Sequence, residues 1–156
     1  MKNLKTYKAF ENLSKLDYEN FWLYFNNIGK MEKIKELLDE KSDYFDIDCV
    51  NSYSMTALMY AVNNENLEQI KLLLDNGADI NKQTYEGTAL IKSAFSNNIT
   101  IIKYLLDNDA NIFLTDADGD DFFDFVENEI LKEIIDLYPE KYSRYLKRQK
   151  QKNFNI

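Results

Sequence analysis

The sequence predicts an all-α solenoid, a stack of four helix–turn–helix units that form one domain over residues 1–156. One string of residues occurs twice, since residues 56–61 and 72–81 return 32 positions later as residues 88–94 and 104–112. A fixed period of about 33 residues indicates stacked repeats. Gly (4) and Pro (1) are too few for a β-rich or linker-rich protein. The apolar residues inside each copy recur at helical spacing.

The second unit, residues 51–81, has the clearest helix boundaries. Thr56 can accept a hydrogen bond from a backbone N–H and so begins the first helix. The second helix is predicted over residues 67–75, and Gly77 follows where a helix ends most easily with positive φ. The apolar faces of the two helices consist of Leu58, Ala61 and Val62, then Ile70, Leu73 and Leu74.

These strings resemble the ankyrin repeat, whose units read roughly G-x-T-P-L-H-x-A-A, then a second helix with L-L, then G-A-D-x-N. The resemblance covers about residues 16–138 and is strong over residues 51–112. It implies repeats at about 16–50, 51–81, 82–113 and 114–139, with a C-terminal segment at 140–156. The family's Pro is absent from every unit, and Met59 and Ile91 replace its His.

The two outer units are degenerate, as expected of terminal repeats that must face water on one side. In the first unit, Phe21, Trp22 and Phe25 mark the first helix, and residues 29–38 the second. The fourth unit has Asp118-Gly119 at the turn, Phe122, Phe125 and Val126 in the first helix, and Leu131, Ile134 and Ile135 in the second. Pro139 should stop that helix near Tyr138. In the third unit, Asp109 replaces Gly at the helix end, and Gly87-Thr88 has one residue fewer than the family pattern.

The C-terminal segment carries six bases and no acid after Glu140. Tyr142, Tyr145 and Leu146 have the spacing of one helix face, which predicts a helix that caps the last repeat. The alternative is a nucleic-acid patch with interleaved aromatics. The cap is favoured because the rest of the chain is acidic.

Composition argues against several classes of protein. The chain has no His, which removes the commonest general base and the usual zinc ligand. Cys49 is the single cysteine, so no internal disulfide forms, and this fits a reducing compartment. No apolar run follows the N-terminal lysines, and none approaches the roughly 18 residues of a membrane span. We therefore expect a cytoplasmic, non-enzymatic protein with no cofactor, no metal and no membrane contact.

Residues 1–140 hold 27 acids against 13 bases, a net charge of −14. Such a surface repels nucleic-acid phosphate and steers a basic protein toward itself. The alternative interpretation is that the charge only keeps the protein soluble.

Residues 116–127 place carboxylates at positions 1, 3, 5, 9 and 12, the spacing of a calcium-binding EF-hand loop. Asp121 occupies position 6, where that loop needs Gly, and the same string is in register with the earlier hairpin turns. A solvated acidic hairpin is therefore favoured. Leu73 and Asn81 resemble the site that asparaginyl hydroxylases modify in ankyrin repeats, but a structural Asn that bonds the turn backbone gives the same pattern.

The ankyrin resemblance implies that a partner binds to the turn tips and the exposed edge of each first helix. The turn-tip positions are Ser52, Tyr53, Met55, Tyr85, Glu86, Ala117 and Asp118. The helix positions are Tyr60, Asn63, Asn64, Lys92, Phe95, Ser96, Asp124 and Glu127. This set places aromatics where core packing does not require them, and exposed aromatics amid polar neighbours are typical binding anchors.

Three functional hypotheses follow. The first is a binding protein, monomeric outside its complex, that inhibits a basic partner protein in the manner of an immunity protein or antitoxin. The second is an ankyrin-repeat effector that engages a host protein. The third is a calcium-binding module or carboxylate-based enzyme built on residues 116–127.

Overall fold

The computed structural model describes residue 22, residues 31–39 and residues 46–154, and this part of the chain is helical with no β-strand. Its helices are α1 (Met31–Asp39), α2 (Ala57–Asn63), α3 (Leu67–Asp75), α4 (Ala89–Ser96), α5 (Ile99–Asp107), α6 (Phe122–Phe125), α7 (Asn128–Leu137) and α8 (Pro139–Phe154). Isolated antiparallel bridges close the hairpin turns that precede α2, α4 and α6. The all-α solenoid predicted from the sequence is confirmed.

The first helices of the two central units begin in the same way. The Thr56 hydroxyl accepts a hydrogen bond from the Met59 N–H at 3.2 Å, and the Thr88 hydroxyl accepts one from the Ile91 N–H at 3.3 Å. The second helices α3 and α5 are capped in turn by the side chains of Asn66 and Asn98. Each cap satisfies a backbone N–H that has no partner inside its helix.

The predicted helix ends are also confirmed. Gly77 follows α3 with φ of 87°, and Asp109 follows α5 with φ of 63°, so both adopt the left-handed conformation. Asp tolerates this conformation better than most residues because its short side chain can hydrogen-bond locally. Helix α7 ends at Leu137, and Pro139 is the first residue of α8, where its missing N–H has no consequence.

A contiguous core runs through the stack. Helix α2 packs against α3 of its own unit and α4 of the next, and α4 packs in turn against α5 and α6. The second helices direct Leu73 and Leu105 into this core, and both side chains are fully buried. Phe122 from the fourth unit is fully buried as well. The apolar faces predicted for the central units therefore lie in the core.

The first unit is described only in part. Trp22 lies in a helix and packs against the core, while the predicted helix residues Phe21 and Phe25 lie outside the described residues. Helix α1 corresponds to the predicted second helix and buries Ile34 and Leu38.

Truncation of the equivalent leucines in α3 and α5 should destabilise the stack. Leu73→Ala and Leu105→Ala should each lower the free energy of unfolding by about 2–5 kcal/mol, since both side chains are fully buried. Leu137→Ala is the matched control, because Leu137 is half exposed and should cost well under half as much. Urea unfolding followed by circular dichroism measures all three. Equal losses in the control and the core variants would contradict the assignment of the core.

The linkers between units form a ladder of side chain to backbone hydrogen bonds. The Asp48 carboxylate accepts from the Asp79 N–H of the next unit at 3.0 Å, and the Asn81 Oδ1 accepts from the Asn111 N–H one unit further on at 2.8 Å. Residues 46–48, 79–81 and 111–113 are equivalent triplets of the successive linkers. Asp48 and Asn81 hold the third position of their triplets, and Asp79 and Asn111 hold the first. The third position in the following triplet, residues 111–113, is Phe113, whose side chain is apolar.

The C-terminal helix α8 packs on the last units as a cap. The rings of Tyr142 and Tyr145 lie 5.7 and 4.0 Å from that of Phe123, measured between centroids. At the start of α8, the Lys141 ammonium donates to the Leu106 carbonyl at 2.6 Å. Leu146 was expected in this cap, but 41% of it is exposed. The packed face of α8 centres on Tyr142 and Tyr145, and Leu146 projects to one side of it.

Just before α8, the Tyr138 hydroxyl donates to the Asp107 carboxylate at 2.6 Å. Burial, this hydrogen bond and the charge of Asp107 raise the pKa of Tyr138 to about 12. The phenol therefore remains protonated at neutral pH and can keep donating to Asp107, which ties the end of α7 to α5.

The ladder predicts a stabilising substitution. Burial and the nearby carboxylates of Asp46 and Asp79 raise the pKa of Asp48, although the Asp79 N–H and Lys82 oppose the shift. A carboxyl with a raised folded-state pKa costs stability above that pKa, and the cost disappears once acid protonates it. Asp48→Asn, which reproduces the acceptor of Asn81, should therefore raise the melting temperature at neutral pH but not near pH 3, which is below the ordinary pKa of about 3.9.

Thermal unfolding at the two pH values measures this effect. Asp48→Ala is the comparison, because it removes the acceptor together with the charge and should be less stable than Asp48→Asn. A lower melting temperature for Asp48→Asn at neutral pH would show that the charge of Asp48 stabilises the linker.

Candidate protein-binding surface

The hairpin of the second unit presents Tyr53 to solvent. The Asn51 side chain accepts hydrogen bonds from the N–H groups of Tyr53 and Met55, and Ser54 turns the chain with φ of 57°. Backbone and Asn51 contacts therefore fix the turn, and the Tyr53 ring takes no part in it. Tyr53 is 73% exposed.

The hairpin of the third unit is tighter and presents Tyr85. Thr84 and Gly87 exchange two backbone hydrogen bonds, of 2.9 and 3.1 Å, around the two-residue tip of Tyr85 and Glu86. The residue that is missing relative to the family pattern has shortened this turn. Tyr85 is 72% exposed, almost the same fraction as Tyr53 at the preceding tip.

The hairpin of the fourth unit is built on Asp116. Its Oδ1 accepts from the N–H groups of Asp118 and Asp120, both at 3.0 Å. The Ala117 N–H donates to the Tyr85 carbonyl at 3.3 Å, and the Gln83 side-chain amide donates to the Thr115 carbonyl. The third and fourth hairpins are therefore joined to each other, and their tips form one continuous edge.

Three carboxylates of residues 116–127, those of Asp116, Asp121 and Asp124, accept backbone hydrogen bonds. Asp121 accepts from the Phe123 N–H at 2.9 Å, and Asp124 accepts from the Asp121 N–H at 2.8 Å, which caps the short helix α6. Partial desolvation and the charges of Asp116, Asp124 and Asp118 raise the pKa of Asp120. Among the described residues, no group of three or more His, Cys, Asp or Glu could hold a metal ion. The hairpin interpretation accounts for Asp116, Asp121 and Asp124 through these hydrogen bonds.

The side chains of Cys49 and Asn81 also interact with other parts of the fold. Burial raises the pKa of Cys49 to about 11, although a hydrogen bond with Trp22 opposes the shift, so the thiol stays protonated at neutral pH. The Asn81 side chain serves the linker ladder, as the structural interpretation of that residue proposed.

The face of the first helices carries an aromatic pair. Phe95 on α4 is 57% exposed, and its ring lies 4.5 Å from that of Phe125 on α6, measured between centroids. The Lys92 ammonium lies 5.7 Å from the Phe95 centroid and forms a salt bridge of 2.6 Å with Glu86 at the hairpin tip. This face of α4 is thus connected to the hairpin above it.

Two predicted site residues are less accessible than the sequence indicated. Tyr60 is half-buried, because Trp22 of the preceding unit packs against it edge-on with ring centroids 6.1 Å apart. Met55 is also half-buried and packs against the core. The expectation that core packing does not require Tyr60 is therefore wrong, since its ring helps to join the first and second units.

The remaining predicted positions fall into two groups. Ser96 is half-buried and donates to the Ser93 carbonyl at 3.0 Å, so its hydroxyl serves α4 itself. The exposed positions are Ser52, Asn63, Asn64, Ala117, Asp118, Asp124 and Glu127. These polar positions belong to the same hairpins and first-helix segments as the exposed aromatic side chains.

Phe125 was not among the predicted site residues, since its pattern indicated only the first helix of the degenerate fourth unit. The structure leaves it half-buried and pairs it with Phe95. A signal was present in the sequence, since Phe125 occupies the position that Tyr60 and Lys92 hold in the units before it.

The negative charge of the chain is concentrated in residues 46–140. Residues 46–140 hold 19 acids and 5 bases, which gives a net charge of −14, whereas residues 1–45 hold eight of each and are neutral. On the predicted surface, Lys92 is already paired with Glu86. The exposed acids Asp118, Asp124 and Glu127 therefore dominate the electrostatic character of the fourth unit there.

A family model described as ankyrin repeats (3 copies) matches residues 22–116, which is more than half of the chain. The chain therefore belongs to the ankyrin-repeat family, whose repeats form protein–protein interaction modules and are typically non-enzymatic scaffolds. No protein of curated function matches the chain. Within the described residues, no helix is long and apolar enough to cross a membrane.

Among solved structures, the chain is similar to the ankyrin repeat domain of Bcl-3, described as a unique member of the IkappaB protein family. The two are 30% identical, with a TM-score of 0.53. The alignment covers 57% of this chain and 40% of that chain, so this protein matches less than half of the Bcl-3 domain.

The tight third hairpin predicts a sensitive glycine. A Cβ on Gly87 would lie 3.0 Å from the Ile91 Cδ1 and 3.3 Å from the Asp116 Cβ, and φ is +91°. Gly77 has a similar φ of +87° but nothing within 4 Å of its added Cβ. Gly77→Ala should therefore cost only the backbone strain, about 1–2 kcal/mol, whereas Gly87→Ala should cost about 1–3 kcal/mol more.

Chemical denaturation of both variants separates backbone strain from steric overlap. Equal losses for Gly77→Ala and Gly87→Ala would show that the third hairpin moves to accommodate a methyl group, and that Tyr85 is not rigidly held.

Proposed function

We propose that this protein is a non-enzymatic binding protein that recognises a basic partner protein and inhibits it, as an immunity protein or antitoxin does. The proposal rests chiefly on one observation: Tyr53, Tyr85 and Phe95 are all more than half exposed, in a chain whose residues 46–140 carry a net charge of −14. Exposed aromatic side chains ringed by polar residues are typical of binding hot spots. We name the hairpin tips and the outward face of α2, α4 and α6 the recognition surface.

The chemistry of the recognition surface favours a basic partner. Residues 46–140 carry a net charge of −14, and Asp118, Asp124 and Glu127 among them are exposed. Charge of one sign attracts an oppositely charged protein over distances of about a Debye length and raises its association rate. The aromatic groups would then supply most of the affinity once contact is made.

Inhibition follows if the partner uses its basic surface to hold an anionic substrate. A rigid acidic protein that covers such a surface competes with the substrate directly. The recognition surface is suited to this because backbone hydrogen bonds and Asx side chains fix its turns, so little ordering would be needed on binding.

The test is affinity capture followed by binding measurements. The wild-type protein and the double variant Tyr53→Ala with Tyr85→Ala are each immobilised, and retained proteins are identified by mass spectrometry. The control is Leu137→Ala with Leu146→Ala, which removes exposed apolar side chains from α7 and α8 instead. We expect a basic protein to bind to the wild type and to the control but not to the Tyr variant, whose melting temperature should be unchanged.

Surface plasmon resonance and an activity assay of the captured protein complete the test. Asp118→Asn with Asp124→Asn should mainly slow association, and less so at high salt. Stoichiometric addition of the wild type should suppress the partner's activity. Undiminished affinity in the double Tyr variant would place the interface elsewhere, and a captured partner whose activity is unaffected would overturn inhibition but not binding.

A further inference from the structure

The aromatic pair of Phe95 and Phe125 lies on the recognition surface, and it bridges two repeats. Phe95 belongs to the third unit and Phe125 to the fourth, and their ring centroids are 4.5 Å apart with an interplanar angle of 36°. Phe125 is half-buried and packs against the core, so it holds Phe95 from one side. Phe95 remains 57% exposed, although Asn63 occupies the equivalent position in the preceding unit. Packing of the repeat therefore does not require an aromatic residue there.

The acid Glu127 lies on the same seam between the two units. Its backbone N–H donates to the Asn97 side chain at 3.4 Å, and Asn97 and Glu127 follow Phe95 and Phe125 by two residues each. The contact between the two rings and the contact between Asn97 and Glu127 are therefore successive contacts of the same two segments. The Glu127 side chain is exposed and follows Phe125 by two residues, and Asp124 precedes Phe125 by one residue.

The Phe95 ring already interacts with one cation. The Lys92 ammonium lies 5.7 Å from its centroid, a distance at which a ring face attracts positive charge. Glu86 neutralises Lys92 through the salt bridge of 2.6 Å, so Lys92 does not repel a second cation strongly. Because Lys92 and Glu86 neutralise each other, the negative charges of Asp124 and Glu127, which flank Phe125 in the sequence, are not balanced by Lys92.

We infer that the Phe95–Phe125 pair with Glu127 is a subsite for an arginine side chain of the partner, an inference that rests on the proposed function. Arginine combines an apolar stem, a planar group that stacks on aromatic rings, and a charge that pairs with a carboxylate. A purely apolar side chain would desolvate Glu127 without pairing it, which is unfavourable. Lysine is a poorer fit, because its ammonium is compact and strongly hydrated and cannot stack.

The test uses two peptides in place of the partner, a capped hexa-arginine and a capped hexa-lysine of equal charge. Each is titrated into the isotope-labelled full chain at physiological ionic strength, and backbone amide shifts are followed by NMR. We expect the arginine peptide to bind about 2- to 5-fold more tightly, the range that an exposed cation–π contact of about 0.5–1 kcal/mol supplies. The largest shifts should fall at Phe95, Phe125 and Glu127.

Three variants locate the preference. Phe95→Ala should abolish the difference between the peptides, and Phe95→Leu should do the same while keeping an apolar contact with Phe125. Glu127→Gln should weaken binding of the arginine peptide several-fold, whereas Glu68→Gln, an exposed acid in the first turn of α3, should not. Phe95→Leu keeps the test valid if Phe95→Ala loosens the stack.

The possible outcomes separate the inference from the proposed function. Equal affinity of the two peptides for the wild type would overturn the arginine subsite and leave recognition of a basic partner intact. A preference for arginine that survives in both Phe95 variants would also overturn it, since the site would lie elsewhere. If neither peptide binds, the basic partner and the subsite both fail.

Discussion

The structure depends on one constraint: the apolar face of each helical pair can be covered only by the next pair. Helix α2 rests on α4, and α4 rests on α6, so no unit completes its core alone. The stack must therefore end in units that differ from the central ones. At the C-terminal end the solution is aromatic, because Tyr142 and Tyr145 of α8 cover Phe123, and Phe122 beside it is fully buried.

The chain stays folded although it is strongly acidic. Many of its carboxylates accept hydrogen bonds from backbone N–H groups at turns and helix starts, where negative charge is favourable. Asp79, Asp116 and Asp121 all do this, and their charges face solvent or the ends of helices rather than the core. Asp48 also accepts such a hydrogen bond, but burial and two neighbouring carboxylates raise its pKa, and the equivalent position in the next unit is the uncharged Asn81. An acidic residue is therefore compatible with a stable fold wherever its carboxylate accepts a hydrogen bond from the backbone of a turn.

The sequence alone was sufficient to predict the structural features that depend only on neighbouring residues along the chain. The cap at Thr56, the left-handed Asp109 and the break at Pro139 all follow from local chemistry, and all are confirmed. Exposure depends instead on which unit lies next in the stack. Tyr60 seemed free because its own unit does not bury it, but Trp22 of the preceding unit does. Phe125 was assigned only to the first helix of its own unit. Its contact with Phe95 appears only once two units are stacked.

Comparison of equivalent positions shows how stability and recognition are divided in this fold. Leu73 and Leu105 are identical, fully buried and 32 residues apart, because every unit must offer the same surface to its neighbour. Asn63 and Phe95 are separated by the same interval and share nothing but their place on the first helix. Since backbone and Asx contacts fix the turns, the side chains at the tips and on the outward helix face are free to change without loss of the stack. A family built in this way can acquire a new partner by substitution at those positions alone, and in this chain they carry aromatic rings and carboxylates.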